Sequence, residues 1–92
     1  DADTAFDWGL AFNVVEDELL MDEVKKLAKR LAAGPPKALG LIKAEIEAAR
    51  THSLEDSLRL EAASQHIAFN SEDFVEGVTS FAEKRKPVFK GR

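Results

Sequence analysis

The sequence predicts an all-α fold of four main helices joined by short loops, preceded by a short extended segment. Three observations predict it. Apolar residues recur at three- and four-residue spacing through successive stretches of the chain. Those stretches are bounded by helix punctuation at Gly34-Pro35-Pro36, Thr51-His52-Ser53, Asn70-Ser71 and Pro87. No long alternating pattern of the kind that marks a half-buried strand is present.

Thr4 to Trp8 reads as the last turn of a helix, with Gly9 available for the left-handed position that follows it. Leu10-Ala11-Phe12-Asn13-Val14-Val15 is the one strand-like piece. The second segment runs from about Glu18 to Ala33, with Asp17 as its expected N-cap and Glu18 in the positive first turn. Leu20, Val24, Leu27, Ala28 and Leu31 share one face, and Lys25, Lys26, Lys29 and Arg30 occupy much of the rest. Gly34 ends this helix, and Pro35-Pro36 blocks its continuation while suiting the first turn of the next.

The third helix is expected from about Pro36 to Arg50. It carries one stripe of Leu39, Ile42, Ile46 and Ala49 and a second, smaller-residue face of Ala38, Leu41, Ala44, Glu45 and Ala48. A helix apolar on two sides is packed on two sides. Ser53-Leu54-Glu55-Asp56 resembles a capping box and starts a fourth helix reaching about Asn70. Ser71 caps the fifth, which places Phe74, Val78 and Phe81 on one stripe. Pro87 is expected to stop it, with Val88-Phe89 as an apolar anchor. Two-sided helices in so short a chain leave apolar surface over after internal packing, which predicts a partner.

Ninety-two residues suffice for one domain, and one of marginal stability by itself. With 45% hydrophobic and 33% charged residues the chain is ordinary for a globular protein, which argues against disorder. It has no cysteine, so disulfides and thiolate metal sites are excluded, and a cytoplasmic location is expected. No apolar run approaches a membrane span. Asp1-Ala2-Asp3-Thr4 lacks the basic flank and apolar core of a signal peptide, and the absence of an initiating Met suits a piece of a longer chain.

The net charge of −4 conceals an asymmetry: residues 84–92 carry +5, so the other 83 sum to −9. The acidic body argues against nucleic acid as a partner. The basic tip suits a compact polyanion such as a nucleotide phosphate, and it equally suits the negative end of a helix dipole.

Carboxylates cluster at Glu16-Asp17-Glu18, Asp22-Glu23, Glu55-Asp56 and Glu72-Asp73, where helix starts and solvent favour ionisation over acid–base work. Glu61, among apolar neighbours, is the carboxylate to examine for burial. His52 and His66 stand fourteen apart on different elements, which fits no local metal motif. No nucleophile elbow, P-loop or dinucleotide fingerprint occurs. The residues alone thus give no catalytic or metal site.

Residues 71–89, from Ser71-Glu72-Asp73 through Glu76-Gly77 and Phe81-Ala82-Glu83-Lys84-Arg85 to Pro87-Val88-Phe89, closely resemble the C-terminal signature of the crotonase (enoyl-CoA hydratase/isomerase) superfamily. Ala5-Phe6-Asp7-Trp8-Gly9-Leu10, Leu27-Ala28, Leu31-Ala32-Ala33-Gly34-Pro35, Leu39-Gly40-Leu41-Ile42-Lys43 and Ser53-Leu54-Glu55 are similar to further family segments, in order, over nearly the whole chain. The Trp-Gly-Leu variant and the Phe-Lys-Gly-Arg ending look most like the phenylacetate-type isomerase branch.

The resemblance implies that residues 1–15 are the end of a spiral core and 16–92 the C-terminal helical domain. It implies an acyl-CoA thioester substrate, no separate cofactor, and a homo-oligomer, trimer or hexamer, in the full-length protein. The oxyanion donors and acid–base residues would lie in the spiral core, outside this sequence, so the segment is expected to be inactive alone. Phe81 and Lys84 match the family's CoA-contacting pair. Phe81 would pack on pantetheine or adenine and Lys84 would meet a phosphate. For Phe81 the competing expectation is core packing, from its place on the stripe of Phe74. An autonomous helical interaction module is the alternative for the chain as a whole.

Overall fold

The computed structural model describes all residues, Asp1–Arg92. It is helical throughout its regular structure: α1 (Ala2–Asp7), a 3-10 turn (Asp17–Leu19), α2 (Leu20–Ala32), α3 (Pro36–Ala48), α4 (Leu54–Phe69) and α5 (Glu72–Ala82). No helix is long and apolar enough to cross a membrane. Two compact units divide the chain, Asp1–Leu31 and Ala32–Arg92.

In the first unit, the Asp1 carboxylate caps α1 by accepting from the Thr4 N–H at 2.8 Å. The helix ends at Asp7, and Gly9 (φ 73°) takes the left-handed position beyond its C-cap, as the sequence predicts. The Gly9 N–H donates to Phe6 O at 2.9 Å and the Leu10 N–H to Ala5 O at 2.8 Å, the paired closure of a Schellman motif. Those bonds explain why Leu10–Val15 is not a strand. The amides of Leu10 and Ala11 both turn back to Ala5 O, and the rest of the segment finds no ladder partner. Asp17 is not an N-cap either. The chain enters α2 through the 3-10 turn, so Asp17 lies inside the first helical turn and Glu16 precedes it without a side-chain cap bond.

In the second unit, α3 packs on α4 and α4 on α5. Pro35 and Pro36 hold the extended entry and first position of α3, where a missing N–H costs nothing. This helix stops at Ala48, two residues earlier than expected, and Thr51 and His52 fold their N–H groups back onto Ala48 O. The Ser53 Oγ accepts from the Asp56 N–H at 3.1 Å and donates to the Asp56 carboxylate at 2.6 Å, so the N-cap bond forms while the Asp56 side chain meets the Ser53 hydroxyl and not its backbone N–H. Ser71 caps α5 by accepting from the Phe74 N–H at 3.1 Å, and its hydroxyl donates to Ala68 O at 2.6 Å. One side chain thereby fixes the corner between α4 and α5.

Pro87 does not end α5. The helix closes at Ala82 in a second Schellman motif, with the Lys84 N–H on Phe81 O (3.2 Å) and the Arg85 N–H on Ser80 O (3.0 Å). The left-handed position of that motif is held by Lys84, φ 55°, where glycine is the usual occupant. Of the expected apolar anchor, Phe89 is half-buried while Val88 is exposed.

No hydrophobic side chain in the chain is buried; the buried residues are Ser64, Ser71, Asp73 and Ser80. The deepest apolar groups, such as Leu39, Leu41 and Leu60, are only half-buried. The accessible surface is 7741 Å². A self-contained folded monomer of 10.1 kDa exposes about 5,300 Å². The excess, roughly 2,400 Å², exceeds the total area of a standard protein–protein interface, about 1,600 Å².

Candidate functional site

The open face of α5 and the turn beyond it form the candidate site. Phe69 and Phe74 meet across the α4–α5 corner with ring centroids 4.8 Å apart and planes tilted by 58°, an edge-biased geometry that aromatic pairs favour. Beside them runs a largely apolar groove of about 490 Å³, lined by residues that include Ala38, Gln65, Phe74, Gly77, Val78, Phe81 and Phe89. Phe81 stands at this groove with 86% of its surface exposed. The core-packing expectation for Phe81 is therefore not met within this chain, although it shares a stripe with Phe74.

Lys84 follows one turn later, exposed and in its left-handed conformation. Its neighbour Arg85 is tied down. The Arg85 guanidinium donates to both oxygens of Glu76, at 2.6 and 2.8 Å, and through Nε to Glu83 at 2.6 Å. Glu76 also accepts the Val88 N–H at 2.8 Å. The Arg85 hydrogen bonds, then the Val88 N–H, hold the Glu76 carboxyl down at about 2, against an ordinary value of 4.5. The same carboxylates raise the pKa of Arg85.

The tail runs back along α5. The Asp73 carboxylate, 4% exposed, accepts the Lys90 N–H at 2.6 Å and the Gly91 N–H at 2.8 Å. The Asp73 N–H donates to Arg92 O at 3.2 Å, and Arg92 Nε donates to Glu72 at 2.9 Å. Phe89 lies over Gly77: a Cβ added there would stand 3.7 Å from the Phe89 ring. The acids of α5 thus serve the tail as well as the helix dipole. The sequence reading took Glu72 and Asp73 as cap acids only. The basic residues of the returning tail were the signal that pointed further.

The remaining candidates stay apart. Glu61 is exposed. His52 is exposed, and the His66 ring meets only Asn70 Nδ2, at 3.5 Å. Neither histidine has a hydroxyl or carboxylate partner of the kind general-base chemistry requires. What the arrangement can do is bind: an apolar groove that includes an exposed aromatic ring, on a helix followed by an exposed lysine, suits a ligand with an apolar arm and an anionic end.

Comparison with known proteins bears on that chemistry. The family model described as enoyl-CoA hydratase/isomerase matches residues 1–92. The chain belongs to the enoyl-CoA hydratase/isomerase family. It is 44% identical to the 1,2-epoxyphenylacetyl-CoA isomerase of Escherichia coli K12, over 99% of this chain and 35% of that protein. It is 40% identical to a probable enoyl-CoA hydratase of Bacillus subtilis 168, over 95% of this chain and 34% of the relative. Among solved structures, an enoyl-CoA hydratase subunit from Geobacillus kaustophilus HTA426 superposes with a TM-score of 0.93 at 42% identity, over 100% of this chain and 36% of that one. An enoyl-CoA hydratase/isomerase from Mycobacterium abscessus gives 0.94 at 38% identity, over 100% and 35%. This crotonase-family chain therefore spans about a third of the length of the relatives it matches.

Proposed function

We propose that this chain is the C-terminal helical part of an enoyl-CoA hydratase/isomerase enzyme, which joins subunits into a trimer or hexamer and completes the CoA pocket. In this reading residues 1–15 end the spiral core, residues 16–92 form the helical domain, and the parent enzyme acts on acyl-CoA thioesters. The acid–base residues and oxyanion donors come from the remainder of the polypeptide, so the segment does not turn over substrate alone. Phe81 packs on pantetheine or adenine and Lys84 meets a CoA phosphate.

One observation carries the reading: every large apolar side chain of the helices is at least partly open, and none is buried. Helices patterned in this way are stable when their faces are covered, by the rest of the polypeptide or by another subunit. The exposed ring of Phe81, with the exposed Lys84 three residues on, supports the CoA assignment on chemistry, because a pantetheine arm and a phosphate make complementary demands.

The test replaces the matching third of the Escherichia coli isomerase with this chain. The chimera is expected to assemble into the relative's own oligomer and to turn over its CoA thioester. Lys84→Ala and Phe81→Ala should each raise KM about three- to tenfold without changing the assembled mass. Turnover of crotonyl-CoA by the pure 92-residue chain, or a chimera that is folded yet monomeric, would overturn the proposal.

A further inference from the structure

The basic turn after α5 divides its cations into two kinds. Arg85 takes both nearby carboxylates: Glu76 receives a two-pronged contact and Glu83 a third. Lys84 and Lys86, on either side, form no ion pair, although Glu83 is the immediate neighbour of Lys84. The fork of a guanidinium matches two carboxylate oxygens, whereas an ammonium is a point charge on a flexible stem. The acids are therefore occupied by the residue best shaped to hold them, and the lysines remain available to an outside anion.

Glu76 also pins the far side of the same loop. It accepts the Val88 N–H while gripping Arg85, so residues 85–88 are fastened at both ends to one carboxylate on the middle of α5. Immediately before the first fastening, Lys84 sits in a left-handed conformation that residues with a Cβ avoid at a cost of about 1–2 kcal/mol. Such a conformation persists where its surroundings over-determine it. The Schellman bonds of Lys84 and Arg85 are one constraint, and the Glu76 clamp is the other.

We propose that Glu76 is a positioning residue: acting through Arg85, it holds the turn that aims Lys84 at the phosphate end of a bound CoA. This rests on the CoA reading of Lys84 given above and names the residue on which that reading depends. Glu76 touches no ligand itself. Its removal leaves Arg85 with Glu83 alone, releases Val88, loosens the loop and lets the ammonium of Lys84 wander, and its effect on binding is confined to the phosphate-bearing part of the ligand.

The test is calorimetric titration of the full-length parent protein with two probes, coenzyme A and pantetheine, which lacks the nucleotide. Glu76→Gln keeps the side chain's size and removes its charge. It is expected to weaken coenzyme A about three- to fivefold and to leave pantetheine unchanged, since the lost term is one exposed phosphate contact. Lys84→Ala should do the same, and Glu76→Gln combined with Lys84→Ala should be no weaker than Lys84→Ala alone, because the two act on one interaction. Should Glu76→Gln fail to fold, Arg85→Lys keeps the charge, removes the fork and carries the same comparison.

A Glu76→Gln protein that loses both probes equally would make Glu76 merely structural and overturn the proposal. Unchanged coenzyme A affinity in Glu76→Gln, with loss in Lys84→Ala, would overturn it while the CoA reading stands. No effect of Lys84→Ala would overturn both.

Discussion

Replacing Lys84 by glycine should stabilise the protein and, on the CoA role proposed above, weaken coenzyme A binding. Lys84 has φ 55°, and a residue with a Cβ pays about 1–2 kcal/mol to be there. Glycine escapes that cost but has the larger unfolded-state entropy, which returns about 0.4–1 kcal/mol. The net gain over alanine at the same position is about 0.5–1 kcal/mol. The comparison with Lys84→Ala matters, because both variants lose the ammonium and differ only in the backbone.

In a domain of this size that gain raises Tm by about 2–8 °C. Urea unfolding followed by helical circular dichroism, at one fixed protein concentration, measures it. The concentration must be fixed because association through open apolar surface would make the midpoint move with concentration. Both variants should bind coenzyme A equally poorly. Equal midpoints for the two would refute the argument that the turn stores strain at Lys84.

Glu76 has its pKa depressed to about 2, so the unfolded chain binds its proton more readily than the folded one. Its contribution to stability is complete above about pH 4.5 and is lost as pH falls toward 2. Amide exchange at Val88 should accelerate through that window relative to intrinsic rates, and Glu76→Gln should remove the dependence. Ser53→Ala deletes the acceptor for the Asp56 N–H and should cost about 1 kcal/mol in a urea titration, with no loss if the cap is redundant. Gly40 lies inside α3 with nothing within 4 Å of a built Cβ, so Gly40→Ala should gain about 1 kcal/mol in the isolated chain. In the proposed chimera with the Escherichia coli isomerase the same change reports on crowding: destabilisation there would show that another surface approaches α3 at Gly40.

Much of the fold was legible because its determinants are local. Ser53 and Ser71 act within three residues of themselves, and Pro35-Pro36 act through their own ring geometry, so α3, α4 and α5 begin where the sequence places them. Leu10–Val15 was misread because β propensity speaks only to a pleated surface, and the partner that would create one is not in this chain. The end of α5 was misplaced at Pro87 because the expected signal for a Schellman stop is glycine, and here a lysine fills that position.

The roles of Asp73 and Glu76 were invisible to periodicity. Their partners lie nine to eighteen residues away on a tail with no regular repeat. Phe81 and Lys84 came from the family resemblance, whereas spacing alone would have placed Phe81 in a core. The exposure of Phe81 could not be read from the helix that carries it, since the stripe looks the same whether its cover lies within the chain or outside it.

The packing of α3 on α4 and of α4 on α5 joins only elements that are neighbours along the chain. Contacts between sequence neighbours close small loops, so the second unit can reach its helical arrangement within microseconds to milliseconds. On the proposed reading, burial of its apolar faces then waits for docking on the rest of the polypeptide or on another subunit, events that are slower. On that reading this unit acquires its helices early and its stability late, and the interval between the two is when its apolar faces lie open to aggregation and proteolysis.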